Sequence, residues 1–207
     1  MPRLRFRLAM IFAQAVVALN CLFALPEALA HQEHHAQDHK MPHIVGSNFT
    51  LQSDKGPVAL SDFLGKVAVL YFGFTNCTDA CPLDLGKLGR ALKSMKPEEA
   101  EQIQPIFITL DPARDNARRM AEFSATFHPR LLGLTGTEVE VAAVAKAYGV
   151  HYEKGPVNAA GDYDIDHPSD LFLVGVGRDG ELLRRLPGTT SAAGIAKALH
   201  KALRSNI

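Results

Sequence analysis

The sequence predicts an α/β fold: a central β-sheet flanked by helices, with a β-hairpin late in the chain. Three observations predict it. Short apolar runs alternate with segments whose apolar residues recur every three or four positions. The runs at 67–72, 106–110 and 171–176 are almost wholly apolar, as strands buried on both faces are. The last of these runs into Arg178-Asp179-Gly180, a turn, and then into a second strand-like run at 181–186.

The elements follow in order. Phe49-Thr-Leu51 and Val58-Ala-Leu60 are short strands flanking a Ser-Asp-Lys-Gly-Pro turn. Residues 67–72 form a buried strand. A helix is expected after Pro82, with Leu85, Leu88, Leu92 and Met95 facing the core and Lys87, Arg90 and Lys93 facing water. Residues 106–110 form the second long strand, ended by Asp111-Pro112. Asp115 or Asn116 caps a helix carrying Met120, Phe123 and Phe127 on one face. Residues 131–134 read as a third strand. Thr137 and Glu140 form a capping box for a helix with Val141, Val144 and Tyr148, which Gly149 ends. Ser191 opens a last helix carrying Ile195, Leu199 and Leu203.

Composition narrows the function. The chain has 207 residues, with 22 basic and 22 acidic side chains that cancel. No basic field calls for nucleic acid, and no glycine-rich phosphate loop calls for a nucleotide. The N-terminus reads as an export signal: Arg3, Arg5 and Arg7 precede an apolar stretch at 8–25, then Pro26 and the small-x-small run Ala28-Leu29-Ala30. Residues 1–30 are therefore a cleaved signal peptide or, as the alternative, a retained membrane anchor. Both place the domain outside the cytoplasm, in the periplasm or on the outer face of the inner membrane. The surroundings of Cys21 fit a lipid-attachment site poorly. Residues 31–44 hold His31, His34, His35, His39 and His43 with little that is apolar, and read as a flexible segment. The folded domain is expected over 45–207.

Cys77 and Cys81 are the chemically informative pair. Of three cysteines, these two lie in the domain, in the run Tyr71-Phe-Gly-Phe-Thr-Asn-Cys77-Thr-Asp-Ala-Cys81-Pro82. A strand leads into two thiols, and a helix follows. Unpaired N–H groups at a helix start favour thiolate over thiol. One helical turn places the two α-carbons about 6 Å apart. That spacing suits a disulfide and equally suits two thiolates aimed at one ion. His167, in Asp164-Ile165-Asp166-His167-Pro168, immediately precedes the strand at 171–176 and is the best third ligand, because loops at strand ends gather on one face. Two thiolates and an imidazole suit copper, whereas structural zinc wants a fourth ligand. His128, His151 and His200 read as solvated, and Asp111 and Asp115 as turn and cap residues.

Three of these segments together resemble the Sco/SenC family of copper chaperones: residues 71–82, the run Thr109-Leu-Asp-Pro-Ala-Arg-Asp115, and Tyr163-Asp-Ile-Asp-His167. They fall in the family's order over roughly residues 45–204. The resemblance implies a thioredoxin-like fold and binding of Cu(I) or Cu(II) through Cys77, Cys81 and His167. It implies delivery of copper to the dinuclear copper centre of cytochrome c oxidase, or reduction of that centre's thiols. The partners so implied are the copper-centre subunit of the oxidase and, beside it, other copper carriers or thioredoxin-like reductants. Thr78 stands where many members have proline, and Pro168 where many have serine; neither change removes a ligand.

The principal reading is thus a metallochaperone rather than an enzyme. The alternative is an extracytoplasmic thiol–disulfide oxidoreductase in which one of Cys77 and Cys81 attacks and the other resolves. A peroxidase ranks below both, since the approach to Cys77 lacks the proline and threonine expected of a peroxiredoxin.

Overall fold

A computed structural model describes residues 46–177 and 181–205. The segments read as signal or anchor and as histidine-rich linker lie outside the described residues, as does the Arg178-Asp179-Gly180 turn. In chain order the elements are β1 (Thr50–Ser53), β2 (Gly56–Ala59), a 3-10 turn (Leu60–Phe63), β3 (Val67–Gly73), α1 (Ala80–Lys93), α2 (Pro97–Glu101) and β4 (Ile103–Thr109). There follow α3 (Ala117–Ala125), β5 (Leu132–Leu134), α4 (Glu138–Ala147), β6 (Glu153–Lys154), β7 (Ile165–Asp166), β8 (Leu171–Gly175), β9 (Glu181–Leu186) and α5 (Ala192–Ser205).

The main sheet has five strands in the order β5-β4-β3-β8-β9. β3, β4 and β5 are parallel, and β8 and β9 join antiparallel. All seven residues of β3 are buried, because both faces of the sheet are covered. Val67, Val69 and Tyr71 pack on one face with Leu85, Leu88 and Leu92 of α1 and Ile195, Leu199 and Leu203 of α5. Ala68, Leu70 and Phe72 pack on the other with Val141 and Val144 of α4, Leu51 of β1 and Tyr148. This is the α/β sandwich that the alternating pattern predicts.

Local chemistry sets the helix starts. The Asn116 side chain accepts from the Arg119 N–H and caps α3. Thr137 and Glu140 form the expected capping box on α4. The Ser191 hydroxyl accepts from the Gly194 N–H at the start of α5. Helix α1 begins at Ala80, before Pro82 rather than after it. Pro82 therefore sits in the first turn, where its missing N–H has no intrahelical partner to lose, and Cys81 is helical.

The topology gathers one set of loops. β3 and β4 end at the same edge of the sheet, and antiparallel β8 begins there, with Tyr71 opposite Leu171. The segments 74–79, 110–116 and 155–170 therefore meet. The last contains β7, which pairs with β6 in a small separate hairpin, Glu153 opposite Asp166.

Leu88 is a clean probe of the core, being 1% exposed and about two turns past Cys81. Leu88→Ala is expected to lower unfolding stability by about 2–5 kcal/mol, measured by urea denaturation with the slope unchanged.

Candidate metal centre

The loop after β3 is pinned from below by a buried carboxylate. Asp115 is 1% exposed and accepts three hydrogen bonds: from the Thr75 N–H at 2.9 Å, the Thr75 hydroxyl at 2.5 Å and the Thr109 hydroxyl at 2.7 Å. It thus ties the end of β4 to the segment that carries Cys77. Arg119 closes over this joint through Thr75 and Asn76. A second buried carboxylate, Asp111, accepts from the Tyr163 hydroxyl at 2.6 Å and from Arg114 Nε. The Arg114 guanidinium lies 3.6 Å from the centre of the Tyr163 ring and also bonds Asp162. This clasp fastens the β6–β7 hairpin, and with it His167, to the end of the sheet. Neither aspartate is only a turn or cap residue, as their sequence positions suggest.

The structure brings Cys77, Cys81 and His167 together. Their donor atoms all lie within 4.8 Å of one another, and among the described residues they are the group of thiols, imidazoles and carboxylates placed to share an ion. His167 Nε2 is 3.7 Å from Cys81 Sγ. Donors bound at about 2.0–2.3 Å to one first-row ion stand about 3.5–4.5 Å apart, so the set closes on an ion with a shift of a few tenths of an ångström. His167 Nδ1 lies 3.1 Å from the Pro168 carbonyl oxygen. A carbonyl only accepts, so in the neutral ring Nδ1 carries the proton and Nε2 presents its lone pair to the thiols. Tyr71 and Phe74 meet the imidazole edge-on, with centroids at 6.5 and 5.9 Å, and fix its plane.

The two sulfurs are unlike. Cys81 is fully buried in the first turn of α1, and its Sγ rests against the Gly73 backbone. A Cβ on Gly73 would fall 2.7 Å from that sulfur, which is why a glycine ends β3. Cys77 precedes the helix, half-buried, and accepts from the Cys81 N–H at 3.4 Å. The Cys81 thiol donates to Cys77 and, with backbone donors, pulls the Cys77 pKa down to about 5 against a smaller opposing effect of burial. The same hydrogen bond, with burial, pushes Cys81 up. Both thiols are free in this structure, with no disulfide formed.

Other residues fall elsewhere. His128 accepts from the Arg130 N–H, His200 pairs with Glu99 at 3.2 Å, and His151 is exposed; none joins the donor set. Sequence reasoning missed Asp84, Asp111, Asp115 and Tyr163 as parts of the site. A signal existed for the first. Leu83 is 59% exposed while Asp84 is 5% exposed, an inversion of the amphipathic pattern of α1. Lys87, expected in water, turns in toward Asp84 and the Gly188 carbonyl.

Fold and site together define a thioredoxin-like domain that presents two thiols and an imidazole at the carboxyl edge of its parallel strands. The SCO1/SenC family model matches residues 37–204, and the chain belongs to that family. The SCO2 homolog of Bos taurus mitochondria is 42% identical over 129 residues, covering 61% of this chain and 48% of that protein. The chain spans about half the length of the curated relatives it matches. The copper-bound crystal structure of Arabidopsis thaliana ScoI superposes with a TM-score of 0.71 at 33% identity, over 78% of this chain and 99% of that one. BsSco, described with a disulfide switch and as a member of the Sco family of cytochrome c oxidase assembly proteins, superposes at 0.57 and 25% identity, over 77% and 93%.

The asymmetry of the thiols has a direct readout. In the reduced protein, iodoacetamide is expected to alkylate Cys77 well before Cys81. Because the thiolate is the nucleophile, the Cys77 rate should climb through pH 5 and be flat above about pH 7, where an ordinary thiol near 8.5 is still climbing. Peptide mass mapping across pH checks it.

Proposed function

We propose that this chain is an exported copper chaperone. It binds one copper through Cys77 Sγ, Cys81 Sγ and His167 Nε2 and serves assembly of the dinuclear copper centre of cytochrome c oxidase. The observation that carries the reading is the donor set: two thiols and a lone-pair-bearing imidazole nitrogen within 4.8 Å, on a fold whose solved relatives include copper-bound forms. Soft thiolates with one imidazole suit copper in either oxidation state. Three protein ligands leave the ion a coordination position that an acceptor's own ligand can enter, so copper is cargo and not a resident cofactor. The domain layout proposed is a signal peptide or anchor at 1–30, a histidine-rich segment at 31–44 and the copper domain at 45–207, in the periplasm or on the outer face of the inner membrane. The partners are the copper-centre subunit of the oxidase, other copper carriers and thioredoxin-like reductants.

One observation favours a second reading, thiol–disulfide exchange. The low Cys77 and high Cys81 thiols have the asymmetry of an attacking and a resolving cysteine, and a relative is described with a disulfide switch. The two roles use the same sulfurs, so oxidation of the pair releases the metal.

Titration of the reduced protein with copper tests the first reading. One tight equivalent is expected, lost in Cys77→Ser, Cys81→Ser and His167→Ala and kept when residues 31–43 are deleted. A parent without tight copper, or His167→Ala binding as tightly as the parent, overturns the three-ligand site. Thiol reductase turnover that survives His167→Ala but not Cys77→Ser would favour the second reading.

The clasp gives a finer test. Tyr163→Phe removes the hydrogen bond to Asp111 that anchors the hairpin, and is expected to weaken copper binding roughly tenfold. The alkylation rate of Cys77, which lies on the other loop, should be unchanged.

A further inference from the structure

Beneath Cys81 runs a row of polar groups that the donor set does not need. Cys81, Asp84 and Lys87 recur every three residues along α1 and share one of its faces. Asp84 Oδ2 stands 3.3 Å from the Tyr71 hydroxyl, and its Oδ1 accepts from Lys87 Nζ at 2.9 Å. Lys87 Nζ also donates to the Gly188 carbonyl at 2.8 Å. At 188 a side chain would collide with the Ser169 carbonyl and come within 3.1 Å of Asp84 Oδ2, so only a glycine lets that loop approach. Tyr71 is fully buried, and its ring edge lies beside the Cys81 sulfur: a Cβ at Gly73 would meet Cys81 Sγ at 2.7 Å and Tyr71 Cε1 at 3.1 Å. A carboxylate–ammonium pair taken from water adds little stability over an apolar pair of the same shape. Packing therefore does not account for one placed under Cys81. A phenol has one proton; here it faces the Asp84 carboxylate, and the Cys81 sulfur beside the same ring edge is the other acceptor at hand.

We propose that Tyr71 is a positioning residue that donates its hydroxyl proton to Cys81 Sγ when that sulfur is a copper-bound thiolate, and that Asp84, held by Lys87, sets how far the proton turns to the sulfur. This rests on the copper reading above and deepens it. A hydrogen bond to a ligating sulfur withdraws electron density from it, which raises the energy of sulfur-to-copper charge transfer and tunes the hold on the metal. Asp84 touches neither copper nor Cys81 in this scheme; it acts through the phenol.

The test uses the full chain loaded with Cu(II), reading the sulfur-to-copper absorption band and the copper Kd. The variants are Tyr71→Phe, Asp84→Asn and the double. The control is Tyr148→Phe, which removes another buried hydroxyl, bonded at 3.2 Å to the Ser47 carbonyl, in the core on the opposite face of the sheet from Tyr71 and Cys81. Tyr71→Phe is expected to move the band to longer wavelength and raise the Kd roughly tenfold. Asp84→Asn, which competes less well for the proton, should move the band to shorter wavelength. The double variant should match Tyr71→Phe, because Asp84 has nothing left to act through, and Tyr148→Phe should match the parent. If Tyr71→Phe keeps the parent band and Kd, the proposal is overturned while the copper reading stands. If the double variant keeps the full Asp84→Asn shift on top of that of Tyr71→Phe, Asp84 acts through space and the relay is overturned. Should Tyr71→Phe not fold, an Asp84→Asn band identical to the parent's overturns it alone. A parent that takes up no copper overturns the copper reading, and this proposal with it.

Discussion

The buried carboxylate of Asp115 is the constraint on which the site depends. It has no exposed surface to speak of and takes three hydrogen bonds, two from Thr75 in the loop after β3 and one from Thr109 at the end of β4. A hydrogen bond to a charged group contributes about 1.5–3 kcal/mol, and a buried charge left without partners is strongly destabilising. The loop after β3 therefore has one low-energy path, and that path delivers Cys77 to the start of α1 with its sulfur facing the Cys81 N–H. Without this anchor Cys77 would sit on a strand-to-helix connection of six residues held by Arg119 at Thr75 and Asn76 and by the buried Phe74, with no charged group beneath it.

The third donor is held differently. Cys77 and Cys81 are built on the sheet and its first helix, the most deeply packed parts of the chain. His167 follows a hairpin whose two strands have two residues each. Backbone pairing of that length cannot hold a side chain in register alone. Side chains do it instead: Tyr163 on Asp111, Arg114 across the Tyr163 ring, and two aromatic edges against the imidazole. The thiol half of the site is thus fixed by the fold, and the imidazole half by a clasp of a few side chains. In the proposed carrier role this division places metal retention on the more easily altered half.

How much of this the sequence displays varies with the kind of order involved. The sheet and its helices were legible because burial on both faces leaves continuous apolar runs, and because Asn116 and the Thr137–Glu140 box announce helix starts. The pairing of Cys77 with Cys81 is legible from spacing, and His167 from its place just before a strand that lies beside β3. The β6–β7 hairpin left no trace, since two-residue strands have no periodicity to detect. Pro82 reads as a boundary and so predicts a later start for α1 than Ala80, although a first turn accommodates it. Asp111 and Asp115 lie in a run that reads as a turn and a cap, and nothing local says that their carboxylates are consumed by loops about 40 to 50 residues away in sequence. The export or anchor reading at residues 1–30 and the histidine-rich segment at 31–44 lie outside the described residues.

The inequality of the two sulfurs bears on delivery and on reduction alike. Cys81 is fully buried, while Cys77 and His167 are partly open. Any incoming ligand, whether an acceptor's thiolate seeking copper or a disulfide seeking electrons, meets Cys77 first. The low Cys77 thiol is ionised at neutral pH and ready for either encounter, and the protonated Cys81 beside it is what stabilises that charge. In the proposed copper complex, Cys81 would surrender its proton in a site where burial opposes the charge, and the metal would supply the compensation. Loss of the metal returns the proton and restores the hydrogen bond to Cys77. In the proposed carrier role, the cost of ionising Cys81 weakens copper binding from within, as suits the release of a cargo. The same buried thiol is placed to close a disulfide once Cys77 has been attacked. The proposed carrier and reductant roles would be two uses of one asymmetry, the choice set by whether a partner offers a vacant ligand set or an oxidised one.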